Sequence, residues 1–144
     1  MKVKLLVAVF SAVLCFSTVQ PITYAETTTS AVSQVEPYYA VNATADTDLT
    51  IQGNTATCYS SIQAEDTVKI TAEQTLQKQG FLWIWGGVSG DSWTKTVSST
   101  NMLMSNTASG LDSGLYRLKT VFTLTLSSGK TEKITVYSNE QRVP

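Results

Sequence analysis

The amino-acid sequence predicts an all-β protein, about seven to eight short strands closing into a two-sheet antiparallel sandwich. Three observations carry that expectation. From Asp48 onward, clusters of turn-forming residues recur at roughly ten-residue intervals. Between them apolar and polar residues alternate at period two, most clearly from Asp112 to Thr125, where Tyr116, Leu118, Phe122 and Leu124 share one face and Arg117, Lys119, Thr123 and Thr125 the other. A strand apolar on one side must bury that side against a second layer. The chain is also short, 144 residues, which suits one domain and one core.

The chain opens with Lys2 and Lys4, an apolar run to about Val19, Pro21 and the small-residue exit Thr23-Tyr24-Ala25. That pattern reads as a secretory signal peptide over residues 1–25, cleaved after Ala25. The run is short for a membrane anchor, which needs roughly 20 apolar residues, and Leu14 stands before Cys15 where a lipoprotein signal has a small residue. Residues 26–45 are rich in Thr, Ser and Ala around Pro37 and read as a flexible leader, with Tyr38, Tyr39 and Val41 able to pin its end to the domain. The sandwich is expected over 46–139, and residues 140–144 as a polar C-terminal tail. No sorting motif or second apolar segment is seen near the C-terminus, so the expectation is a secreted, extracellular protein with no stable membrane anchor.

Within the domain the strands follow in order. Leu49 to Gln52 is short and ends at Gly53-Asn54. Thr55 to Gln63 alternates Ala56, Cys58 and Ile62 with polar residues, then turns at Ala64-Glu65-Asp66. Val68, Ile70, Ala72 and Leu76 alternate with Lys69, Thr71, Glu73 and Gln77; helix formers are frequent over Thr71 to Gln79, but the period decides for a strand. Phe81-Leu82-Trp83-Ile84-Trp85 is apolar on both faces and reads as a strand closed by Gly86-Gly87. Val88 to Gly90 is a loop, Trp93 to Val97 and Met102 to Ser105 are strands, and Asn106 to Gly114 is a polar connection. The long strand from Tyr116 follows, then a hairpin loop at Ser127 to Lys130 and a last strand carrying Ile134 and Val136. An open barrel or jelly roll of similar strand count is the alternative architecture.

The stretch Asp112-Ser113-Gly114-Leu115-Tyr116-Arg117-Leu118 resembles the immunoglobulin-superfamily corner Asp-x-Gly-x-Tyr-x-Cys, with Leu118 in place of the second cysteine. The resemblance implies an immunoglobulin-like sandwich in which the Tyr116 hydroxyl bonds back upstream, and in which an apolar contact of Cys58 with Leu118 replaces the bridge. The tryptophan usual on the third strand is missing; Ala72 or Leu76 occupies that region. Over the whole domain, Thr55-Ala56-Thr57-Cys58, Leu76-Gln77-Lys78, Trp85, Trp93, the Gly114 to Lys119 corner and Thr135-Val136-Tyr137-Ser138 look like a family of small secreted proteins of Gram-positive bacteria grouped as a domain of unknown function. That resemblance implies secretion and an all-β domain, and no activity.

Composition narrows function mainly by exclusion. Without residues 1–25 the chain holds 8 Lys and Arg against 11 Asp and Glu, a net charge of −3. No basic run offers a nucleic-acid surface. Cys58 is then the single thiol, expected buried and inert, so no internal disulfide is available. There is no histidine, which removes His-based triads and the imidazole that dominates metal sites. Glu65, Asp66, Glu73, Asp91 and Asp112 sit in turns or on polar strand faces, so a carboxylate-dependent wall-glycan hydrolase is the remote alternative, and no catalytic residue, metal ligand or cofactor is assigned. Arg117, Lys119 and Lys133 read as a solvated sheet face, with an acidic wall polymer as the alternative partner.

The candidate contact residues are Phe81, Trp83, Trp85 and Trp93. In a strand, Phe81, Trp83 and Trp85 share one face and Leu82 and Ile84 the other, and both sets cannot enter one core. Core filling by the indoles is the preferred reading. The alternative is an outward aromatic strip that stacks on sugar rings or anchors a protein. The functional expectation is a secreted, non-catalytic module for an extracellular glycan or protein, with a self-associating matrix protein as its rival.

Overall fold

The computed structural model describes residues 41–144, so the expected signal peptide and most of the expected leader lie outside the described residues. Eight strands follow one another: β1 (Ala43–Gln52), β2 (Thr55–Ala64), β3 (Thr67–Gln79), β4 (Trp85–Val97), β5 (Asn101–Ala108), β6 (Gly114–Leu126), β7 (Thr131–Tyr137) and β8 (Gln141–Val143). They form two antiparallel sheets, β1-β2-β5 and β4-β3-β6-β7, with β8 pairing with β6 beyond the end of β7. This is the predicted sandwich. The seven-stranded immunoglobulin arrangement keeps its fourth strand on the first sheet; here β4 joins the second sheet beside β3.

Turn chemistry places the strands. Gly53, at a φ of 61°, closes the two-residue hairpin between Gln52 and Thr55. The switch from β2 to β3 takes only Glu65 and Asp66, whose backbones bond to Asn42 and Ser127 at 3.0 and 2.8 Å. Those bonds tie both sheets at one corner.

The core lies between the sheets and consists of two apolar clusters. One gathers Val41, Ile62, Ile70, Met102, Met104, Phe122 and Leu124 with their neighbours; the other gathers Leu49, Cys58, Leu76, Leu111, Tyr116, Leu118 and Val143. Each fully buried Leu, Ile or Phe contributes roughly 1.5–3 kcal/mol. Among the described residues, both clusters draw on side chains between Val41 and Val143. Cys58 and Leu118, which the sequence pairs in place of a bridge, are fully buried members of the same cluster. The usual third-strand tryptophan is replaced from the neighbouring strand: Trp93 of β4, opposite Gln74, packs against both clusters.

A layer of polar side chains separates the two clusters. Ser60 Oγ accepts from Gln74 Nε2 at 2.7 Å and from Thr47 Oγ1 at 3.3 Å, and shares a 2.8 Å bond with Thr120 Oγ1. Asn106 Nδ2 donates to Gln74 Oε1 at 2.7 Å. Five strands thus meet in one buried network, and pairing is what makes such groups tolerable in a core.

Four further features depart from the sequence reading. Val68 is exposed, because a register shift between Thr67 and Lys69 reverses the phase and buries Thr67 in its place. The loop expected at Val88 to Gly90 lies within β4 as a bulge, four residues from Val88 to Asp91 standing opposite Leu76 alone. The expected polar tail contains β8, whose Val143 is buried, and the sandwich begins with Val41 and β1 rather than at residue 46. Ser138 and Asn139 make the first of these possible: Leu118 N–H donates to Ser138 Oγ at 2.8 Å and Leu49 N–H to Asn139 Oδ1 at 3.2 Å, so the break between β7 and β8 is fastened to both sheets.

Candidate functional site: an aromatic hairpin tip

The stretch from Phe81 to Ile84, expected as a strand, is the turn that joins β3 to β4. Phe81–Trp83 form one short 3-10 turn with Leu82 and Trp83 at φ of 58° and 63°. Gly80 N–H donates to the Ile84 carbonyl at 2.8 Å and Ile84 N–H to the Phe81 carbonyl at 3.4 Å, which closes the turn on itself. Neither expected arrangement of the aromatic residues is found. Phe81, Leu82, Trp83 and Ile84 are 86, 66, 80 and 65% exposed, so both sets leave the core together. Positive φ at two successive residues ends the strand alternation that would have sent one set inward.

Trp85 is placed differently. It opens β4 opposite Gln79, half-buried on the outer face of the second sheet. The Arg117 guanidinium lies 4.3 Å from the centre of the Trp85 ring and 4.3 Å from that of Tyr137, and Arg117 Nε donates to Gln77 Oε1 at 2.9 Å. Trp85, Arg117 and Tyr137 therefore form one stack across β4, β6 and β7 that fastens the base of the tip. Arg117 belongs to this stack rather than to a freely solvated cation row. Tyr137 was the member the sequence reading missed; its outward phase, shared with Lys133 and Thr135, was the available signal. Trp93 lies farther along β4, half-buried and packed against both core clusters, so the four candidate residues divide into a tip, its base and a flank of the core.

The structural residues of the corner fall together. Tyr116 Oη donates to the Asp112 carbonyl at 2.7 Å. Gly114, at a φ of 154°, leaves room where a Cβ would meet Lys78 Cε at 2.6 Å, and Lys78 Nζ stands 5.5 Å over the Tyr116 ring. The Cys58 thiol is pushed up to about 12, first by burial and then by the Asp91 carboxylate. A groove of about 480 Å3 runs between the edges of β4 and β5 and is lined by Trp93, Lys95, Met104 and Asn106 among others, with no carboxylate. Lys95 Nζ donates to the Leu103 carbonyl at 2.6 Å and bridges the two sheet edges there. Among the described residues no group of three or more His, Cys, Asp and Glu could hold a metal ion, and no helix is long and apolar enough to cross a membrane.

Fold and site together define a β-sandwich bearing an exposed aromatic hairpin. No family model and no curated protein matches the chain. Among solved structures, wild-type OgpA from Akkermansia muciniphila is similar at 14% identity and a TM-score of 0.39, over 74% of this chain and 32% of that one. Catalytically inactive OgpA in complex with an O-glycopeptide (glycodrosocin) substrate is similar at 12% identity and a TM-score of 0.38, over 77% of this chain and 34% of that one. The chain thus spans about a third of the length of the OgpA structures it matches.

Proposed function

We propose that this chain is an exported, non-catalytic binding module that meets its extracellular partner with the β3–β4 tip. The observation that supports it is the run of four consecutive large apolar side chains held in water on a closed turn. Exposed apolar surface of that kind costs solubility and is kept where something covers it. The stack of Trp85, Arg117 and Tyr137 gives the tip a firm base, so little order has to be gained on contact.

The test is binding of residues 26–144 to isolated cell envelopes, compared with Phe81→Ser and Trp83→Ser, with circular dichroism to verify folding. Folded variants that lose binding support the reading. Folded variants that bind as well as the parent overturn it.

A further inference from the structure

We infer that the surface met by the tip is a lipid bilayer, into whose interfacial layer Phe81, Leu82, Trp83 and Ile84 dip while the sandwich stays in water. This rests on the binding-module reading and names its partner class. The first argument is the extent of the exposure. A sugar ring or a protein groove meets one face of a binding element, whereas the tip leaves four consecutive side chains exposed, the pair Phe81 and Trp83 and the pair Leu82 and Ile84 alike. An apolar medium that surrounds the tip covers all of them at once.

The second argument is chemical. From Thr75 to Gly90 the only charged residue is Lys78, and the tip itself carries none. Tryptophan and phenylalanine beside leucine and isoleucine are the side chains that settle at the boundary of headgroups and acyl chains. Backbone polar groups taken into that layer must already be paired. The turn meets that condition in part through the bonds of Gly80 and Ile84 to one another and to Phe81.

Charge at the base of the tip is mixed. Lys78 lies two residues before the turn, Arg117 stacks on Trp85, and Arg142 stands opposite Leu115 at the same end of the second sheet. Asp112 and Glu140 lie on the adjoining connections and Asp91 in the β4 bulge, so the end carries both signs and attraction to a bilayer rests on the apolar tip itself.

The experiment mixes residues 26–144 with vesicles of phosphatidylcholine and with vesicles containing phosphatidylglycerol, reading co-sedimentation and quenching of tryptophan by lipids brominated on the acyl chain. Binding to both, with acyl-chain quenching, is expected. Phe81→Ser and Trp83→Ser should each weaken partitioning by about tenfold or more, the loss of one large buried side chain, while Lys95→Ala leaves it unchanged. No co-sedimentation with either vesicle overturns the assignment, as does binding to anionic vesicles that ignores both tip substitutions. If vesicles are not bound but tip variants still lose envelope binding, the partner is a glycan or protein and the binding-module reading stands. Unchanged envelope binding overturns both.

Discussion

The Tyr116 hydroxyl reaches back four residues to donate a 2.7 Å hydrogen bond to the Asp112 carbonyl. The ring below that hydroxyl is buried beside Leu118 and Cys58, so the bond fixes where the chain, arriving from β5 on the first sheet, enters β6 on the second. β6 pairs with three other strands, and an error at its start would be carried into all of them.

Replacing Tyr116 by Phe keeps the ring and leaves the Asp112 carbonyl without this donor. Loss of a single bond of this kind costs about 0.5–1.5 kcal/mol, whereas Tyr116→Ala removes a large buried ring and should cost more, on the order of 3–5 kcal/mol by analogy with Phe→Ala. Urea midpoints of the two variants measure the difference. A Phe variant as stable as the parent would show that ring packing alone sets the corner.

The polar layer makes a second prediction. Ser60→Ala removes the atom on which Gln74, Thr47 and Thr120 converge and leaves buried groups unpaired, a cost of about 1–3 kcal/mol. Combining it with Gln74→Leu and Thr120→Val removes two of the three stranded groups, leaving Thr47 and the Asn106 amide without these partners, and the triple variant should be destabilised by less than the sum of the single changes. Additive losses in denaturant unfolding would mean that the bonds do not act as a network.

Much of the fold was legible because each strand buries one face, and period two survives in β2 and β6 from end to end. The polar layer was hidden by chemistry rather than by phase. Gln74 stands midway between Ala72 and Leu76, and Thr120 between Leu118 and Phe122, at inward positions where residue type argued for outward ones. The candidate site was legible in composition but not in shape. Five large apolar residues from Phe81 to Trp85, four of them strand-favouring, read as a strand, and no glycine marks Leu82 or Trp83 as the place where φ turns positive. β8 escaped because three residues are too few to show a period, and the side-chain bonds of Ser138 and Asn139 that hold it depend on neighbours distant in the chain.

Cys58 gives a pH signature. Its thiol ordinarily titrates at 9.0 and is raised to about 12 in the folded chain. Below pH 9 both states keep the proton and stability does not depend on it. Above pH 9 the unfolded chain releases the proton and the folded chain holds it, so stability falls toward pH 12, by at most about 1.4 kcal/mol per pH unit. The difference in alkaline slope between the parent and Cys58→Ala isolates this contribution from the tyrosines. The native thiol should also resist iodoacetamide at pH 8 and react only as the chain opens; rapid native labelling would contradict its burial.

Arg117 tests the base of the tip. Its flat guanidinium fits between two rings in a way that a lysine ammonium does not. Arg117→Lys should therefore cost roughly 0.5–1 kcal/mol, the range for cation–π contacts near the surface. A double-mutant cycle with Trp85→Leu should show the coupling between the two residues, and a coupling of zero would reduce the stack to mere proximity.

The three indoles separate the tip from the core. Trp83 is 80% exposed and touches neither apolar cluster, so Trp83→Ser should shift stability by no more than about 0.5 kcal/mol, as surface changes do. Trp93 is half-buried and packs against both clusters from β4, so Trp93→Ala should cost several times as much, though less than the roughly 3–5 kcal/mol of a fully buried aromatic truncation. Acrylamide quenching gives an independent measure in the same proteins. Emission lost in Trp83→Ser should be the strongly quenched part, and emission lost in Trp93→Ala the protected part. A protected Trp83 would mean that the tip is already covered in solution, by a second copy if the protection fades on dilution.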